Sequence, residues 1–396
     1  MTSLAAGARL LLTAALSLGA ASTGAAQDLT ITNARIVVAE GTAIERGSIV
    51  VRGGRIAEVT PGAPSASAGE VIDALGMSAM PGFIDAHRHI NTGPDEREQM
   101  QAQLEAGYTT ILSGGGPAEG NITLRDRIES GQINGPRVIP SGSLRLNNHT
   151  PESAREAIRE MAAMGVRFTG EIALTPVPGP SDEELEVLRA VLDEAEKAGV
   201  IVQVHAVSTP AMMAAVDLGV PLLVHLPNKD WTSQEEARRV AAAGTKVLAT
   251  VGFGAPVFGV FADDNQPRFR DGRPWPESIV DGVGLGEEAG YMPVNARTLF
   301  DAGVVLGYCT DTRYDPLAGL EHELRSFNLM FSMPDIIQIM GPNTASYIQM
   351  GDELGTLETG KIADIILLDG DPLEGYWNLL KTKVVVKGGN VVVDKR

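Results

Sequence analysis

Apolar residues follow two patterns along this chain, and the order of the patterns predicts its architecture. Near the start, Leu29-Thr30-Ile31-Thr32, Ala34-Arg35-Ile36-Val37-Val38, Gly47-Ser48-Ile49-Val50-Val51 and Arg55-Ile56-Ala57-Glu58-Val59 are short and rich in β-branched residues, as strands are. Gly53-Gly54, between the last two, reads as a two-residue hairpin turn. The far end has the same character: Asp364-Ile365-Ile366-Leu367-Leu368, Lys383-Val384-Val385-Val386 and Asn390-Val391-Val392-Val393, with Gly388-Gly389 at a turn. Two β-rich ends around a different middle predict one small β-sandwich assembled from residues 27–80 and 350–396.

Residues 81–349 alternate strand and helix instead. Strand-like runs recur at 82–89, 108–113, 136–141, 168–174, 200–205, 221–225, 246–251 and 304–311, eight in all. The clearest helix lies between Ser181 and Ala198. Ser181 and Glu184 form a capping box, Leu185, Leu188, Leu192 and Ala195 share one face, and Gly199 ends it. Thr232 with Glu235 predicts a second capped start, and Thr150-Pro151 a third with proline at the first helical position. Eight β-then-α units predict an α/β fold of the (β/α)8 TIM-barrel type. An open doubly wound sheet would need a glycine-rich phosphate loop after its first strand, which is missing here. Phe253 to Pro293, rich in Gly, Pro, Asp and Arg, is an oversized connection of the kind that serves as a lid or binding loop.

Composition narrows the partners. The formal net charge of −18 excludes a nucleic-acid binder, which needs a concentrated basic surface. Met1 to Ala26 has Arg9, then the apolar run Leu10 to Leu18, then small residues up to Gln27, the layout of a signal peptide cut after Ala25 or Ala26. The apolar core is too short to span a bilayer. A periplasmic or secreted protein with no membrane attachment after signal removal is therefore expected. Its oligomeric state is left open, a homo-oligomer being one option. The sole cysteine, Cys309, has no partner for an intramolecular disulfide, so the fold must rest on its core and any bound metal.

The chemistry sits at strand ends, where barrel enzymes gather their catalytic groups. Four of the six histidines are there: His87 and His89 on the first strand, His205 on the fifth and His225 on the sixth, with Asp311 closing the eighth. Residues two apart on a strand share a face, so His87 and His89 point inward together while Arg88 points towards the helices. Imidazoles with a carboxylate are the ligand set of Zn2+ or a similar first-row ion. A lone His-x-His proves little; the joint placement carries the reading.

Pro81-Gly82-Phe83-Ile84-Asp85-Ala86-His87-Arg88-His89 closely resembles the first-strand motif of the metal-dependent amidohydrolase superfamily. The segment Gly355 to Asp364 is similar to that family's return into its sandwich domain. Nearly all of the chain after the signal resembles the imidazolonepropionase-related and prolidase-like branch. The resemblance implies that His87, His89 and Asp311 hold one metal and that His205 and His225 hold a second. Many binuclear members bridge the two with a carboxylated lysine on the fourth strand. Here Gly165-Val166-Arg167-Phe168-Thr169-Gly170-Glu171 has no lysine, and Gly170 falls in its slot. Either the strand is bulged at Gly170 or the proper alignment is on Gly170-Glu171, which resembles the adenine deaminase pattern. Glu171 is in either case the expected bridge.

The expected activity is hydrolysis of an amide bond in a small substrate, such as a dipeptide, an N-acyl amino acid or a cyclic amide. A metal-held water would attack, with Asp311 as general base and then acid. His149, Tyr308 and Arg313 are candidate substrate contacts, and Arg268, Arg270 and Arg273 in the long connection could also grip a carboxylate. Cys309 is expected to pack between barrel and helices. A deaminase would use the same scaffold, although His205-Ala206-Val207-Ser208 lacks the His-x-x-Glu of the single-metal deaminases. Esterase, lactonase and phosphotriesterase chemistry would suit the same centre, and a non-enzymatic scaffold would have lost its ligands.

Overall fold

A computed structural model describes residues 28–38, 41–252, 285–312 and 315–396. The signal segment and most of the long connection lie outside the described residues. No helix among the described residues is long and apolar enough to cross a membrane.

The two ends of the chain meet in one eight-stranded mixed sheet. Its strands are β1 (Leu29–Val37), β2 (Ala43–Arg52), β3 (Arg55–Pro61), β4 (Glu70–Asp73), β5 (Ser78–Pro81), β15 (Ile365–Leu368), β16 (Thr382–Lys387) and β17 (Asn390–Asp394). They run in the order β17-β16-β15-β5-β1-β2-β3, with β4 on β1. Both glycine pairs form two-residue hairpins: Arg52 faces Arg55 across Gly53-Gly54, and Lys387 faces Asn390 across Gly388-Gly389. All four glycines have positive φ, which the tight turn demands. The runs Ile365–Leu368 and Val384–Val386 are apolar throughout because both faces are covered. Ile365, Leu367, Val384 and Val386 join Ile31, Ile36 and Ile49 in the sheet's own core, while Ile366, Leu368 and Val385 pack into the main core of the α/β body.

The middle of the chain is TIM-barrel-like. Its parallel strands are β6 (Phe83–Arg88), β7 (Tyr108–Ser113), β8 (Arg137–Ile139), β9 (Ser141–Gly142), β10 (Phe168–Ala173), β11 (Ile201–His205), β12 (Leu222–Val224), β13 (Lys246–Ala249) and β14 (Leu306–Tyr308). They fall at the eight expected places. Pro140 separates β8 from β9, so the ladder reads as β6-β7-β8 and β9 to β14. Proline has no N–H to donate and commonly interrupts a ladder in this way. Ile84, Ala86, Leu112, Phe168, Leu222, Val224 and Leu248 fill the space inside the strands. Tyr347 enters among them from below, its hydroxyl donating to Gln203 Oε1 (3.1 Å) and the Leu223 carbonyl (3.2 Å).

The expected helix starts hold at Ser181 and Thr150, and one moves. The helix Gln234–Ala243 is capped by Ser233 with Glu236, one residue later than Thr232 with Glu235. Thr232 is instead buried, its N–H donating to Asn295 Oδ1 (2.9 Å). The helix Leu285–Asp301 takes up the last residues of the connection expected over Phe253 to Pro293, and it runs through Pro293.

Candidate metal centre

All six expected ligand residues converge at the C-terminal ends of the strands. His87 lies in β6 and His89 just past it, Glu171 in β10, His205 at the end of β11, His225 just after β12 and Asp311 beyond β14. Glu171 Oε2 is 2.7 Å from His205 Nδ1, 3.2 Å from His225 Nε2 and 3.8 Å from His87 Nε2. Its Oε1 is 3.7 Å from His89 Nε2. Asp311 Oδ1 is 3.0 Å from His89 Nε2 and 3.5 Å from His87 Nε2, and its Oδ2 is 3.6 Å from His225 Nε2. Three sets of ligand atoms lie close enough to share an ion: His87, His89 and Glu171; Glu171, His205 and His225; His87, His225 and Asp311.

Backbone strain places two of these side chains. His225 (φ 68°) and Asp311 (φ 50°) both adopt the left-handed region, which is uncommon for residues with a side chain and tends to cluster at functional sites. Glu171 owes its position to a bulge. Between Phe168 and Glu171, β10 has one residue more than its neighbour β11 between Ile201 and Gln203. That extra residue turns Glu171 to the face where Gly170 was expected. A Cβ on Gly170 would lie 3.0 Å from Gly115 Cα, so a side chain at position 170 itself would crowd that backbone.

The electrostatics suit a cation. Burial alone would raise the Glu171 carboxyl, but hydrogen bonds from His205 and His225 and the nearby His87 hold it well below the usual range. Burial alone would raise Asp311 too, but the neighbouring His87, His89 and His225 imidazoles hold it low. Burial pushes His225 below the ordinary imidazole value, so it favours the neutral form that binds metals. Both ring nitrogens of His87 are buried with no hydrogen-bond partner, an arrangement that leaves Nε2 free to ligate. Four imidazoles and two carboxylates with such an orphaned donor atom fit one or two divalent first-row ions.

Three features of the site escaped the sequence reading. Thr250 Oγ1 lies 2.5 Å from His225 Nδ1 and 3.6 Å from Cys309 Sγ, which fixes the imidazole with Nε2 turned to the carboxylates. Gly114 lies against His87: a Cβ there would be 2.8 Å from Nε2. Gly114→Ala should therefore displace the ring, lowering metal retained after dialysis and turnover each by about tenfold or more. Wild-type metal content and rate in a folded Gly114→Ala protein would contradict the assignment of His87. The third is Arg145, on the wall of the cleft beside the centre.

The substrate-contact candidates fare differently. Tyr308 is fully buried, its hydroxyl 2.8 Å from that of Tyr108, packs on Phe327 and does not line the cleft. Cys309 is the inward residue, lying with Leu248 and Tyr347 inside the strands rather than between barrel and helices. The alternation holds, with its phase reversed. His149 does not line the cleft; it follows the short turn Leu146–Asn148, and its Nδ1 sits 3.2 Å from Ser153 Oγ at the next helix start. Arg313, Arg268, Arg270 and Arg273 lie outside the described residues.

A cleft of about 1520 Å³ opens from His89, Glu171 and His205 towards Asn91, Ser143 and Arg145. Two of its acids are already committed. Glu96 pairs with Arg127 and Thr92, and Glu184 accepts from Ser181 and Thr175. Arg145 is exposed on this cleft, and its guanidinium makes no hydrogen bond or ion pair among the described residues.

Comparison with known proteins agrees with this geometry. The amidohydrolase family profile matches residues 78–244 and 294–392. An imidazolonepropionase of Caldanaerobacter subterraneus is 24% identical over 413 residues, covering 88% of this chain and 91% of that enzyme. An adenine deaminase of Desulforamulus reducens is 26% identical over 387 residues, covering 92% of this chain and 57% of its own length. Among solved structures, one designated a prolidase from Bifidobacterium longum superposes with a TM-score of 0.76 at 26% identity, covering 94% of this chain and 97% of that one.

Proposed function

This chain belongs to the amidohydrolase family and is a hydrolase of carbon–nitrogen bonds; from that premise we propose that it cleaves the amide bond of a small dipeptide, N-acyl amino acid or cyclic amide at a two-ion centre. Zinc is the proposed ion. The observation that carries the reading is Glu171, which belongs to two of the ligand sets at once, as a bridging carboxylate must. His87, His89 and Asp311 would hold one ion and His205 and His225 the other, with Glu171 between them. Such ions, when bound, acidify water and polarise a carbonyl.

The chain's own groups supply the rest. Asp311, beside His89, is placed to take a proton and return it to the leaving nitrogen. Thr250 and Gly114 keep His225 and His87 in register for the centre. The same premise extends to closure of the strands into a full barrel and folding of the terminal sheet into a sandwich. The signal-like Met1–Ala26 segment supports export to the periplasm or beyond.

The adenine deaminase relative keeps a second reading open, that the substrate is an aminopurine. Metal analysis followed by a panel of dipeptides, N-acyl amino acids, lactones, esters and aminopurines separates the two. Amine plus a new carboxylate supports the amidase; ammonia without one supports the deaminase. Arg145 bears on the substrate class, since a free guanidinium in the cleft suits a carboxylate-bearing substrate. Arg145→Gln is expected to raise KM for an N-acyl amino acid about tenfold or more, with kcat little changed. An equal rise for the corresponding amino acid amide, which has no carboxylate, would argue against it.

A further inference from the structure

The first and last strands of the barrel-like body, β6 and β14, carry three of the candidate ligands, His87, His89 and Asp311, counting the residues just past each strand. They share no ladder pairing among the described residues. One backbone hydrogen bond crosses between them close to the site, from the Asp311 N–H to the His87 carbonyl (2.9 Å). The rest of the junction is made by side chains. Asp85 Oδ1 accepts from the Thr310 N–H (3.1 Å) and from the His87 N–H (3.2 Å). Asp85 Oδ2 accepts from the Thr310 hydroxyl (2.6 Å). Thr310 Oγ1 in turn accepts from Arg88 Nη1 (3.0 Å) and from the Thr312 hydroxyl (3.2 Å). On the far side, the Gln103 amide oxygen, turned towards the guanidinium, accepts from Arg88 Nε (2.7 Å). Asp85, Arg88, Gln103, Thr310 and Thr312 are all buried.

A buried carboxylate and guanidinium are costly to desolvate, and an apolar pair would commonly be as stable. What the polar set adds is direction. Its hydrogen bonds fix the height of Thr310 against His87, and Thr310 directly precedes Asp311. We propose that Thr310 is a positioning residue: its hydroxyl joins Asp85 and Arg88 into a clasp that sets the distance between the histidines of the first strand and the carboxylate of the last. The inference rests on the reading of these residues as metal ligands. Thr310 itself is not one of the candidate ligands.

The test uses the full chain and zinc alone, measured by competition with a chromophoric chelator, alongside thermal unfolding of the metal-free protein. Thr310→Val keeps the side-chain shape and removes the hydroxyl; Thr310→Ser keeps the hydroxyl. The expected result is zinc affinity about tenfold to a hundredfold weaker in Thr310→Val, with affinity restored to about the wild-type value in Thr310→Ser. Wild-type affinity in the valine variant, or equal loss in both variants, would overturn the proposal. Should Thr310→Val fail to fold, Gln103→Met releases the guanidinium from its other side. It should weaken zinc binding in the same direction, and unchanged affinity there would overturn the clasp. Wild-type protein that takes up no zinc would overturn the metal reading itself, a result visible before any variant is compared.

Discussion

Asp311→Asn is expected to lose about a thousandfold in kcat while keeping part of its bound metal. The aspartate oxygens face His89, His87 and His225 within 3.0 to 3.6 Å, so they sit where ion and proton must both be handled. Asparagine preserves the shape and one oxygen that can touch an ion, but it has no basic oxygen to accept a proton. It also tolerates the left-handed backbone at this position, so the variant tests chemistry rather than folding. Steady-state turnover at saturating zinc checks the prediction. A rate near that of the wild type would remove Asp311 from the reaction.

Glu171→Gln should lower the metal content from two ions to one and cut kcat/KM about a hundredfold. Glu171 reaches all four histidines, with Oε2 on the His205, His225 and His87 side and Oε1 towards His89. A neutral amide of the same size can occupy the space but is a poor bridge between two cations. Elemental analysis after dialysis, with kinetics on the same samples, provides the check. Two ions per chain in the variant would show that the ions are held without this bridge.

The ligands were legible because barrel topology converts sequence position into spatial position. Strand C-termini gather at one face of a barrel, so His87, His89, His205, His225 and Asp311 could be grouped from their joint placement at strand ends. The terminal hairpins were equally clear, since two adjacent glycines between β-branched runs allow few backbone solutions. What sequence could not supply was one-residue phase. Tyr308 and Cys309 alternate as expected, yet β14 is only three residues long, so neighbouring pattern did not say which of them faces inward. The same uncertainty moved the helix cap from Thr232 to Ser233.

Glu171 shows the limit from the other direction. A bulge at Gly170 was one of two options in the sequence, and only the ladder of β10 against β11 reveals the extra residue. Gly114 and Thr250 carried no motif. Their roles depend on which atom lies against His87 or His225, and that is a contact between separate strands. Arg145 likewise stands out only once neighbouring acids are seen to be already paired.

These six side chains are proposed to hold the ions that make the chain a hydrolase. Anomalous diffraction at the zinc edge, from crystals of the zinc-loaded protein, tests this most directly. Two peaks are predicted, one among His87, His89 and Asp311 and one between His205 and His225, with Glu171 separating them. Zinc bound elsewhere, with no peak inside this cluster, would contradict the account.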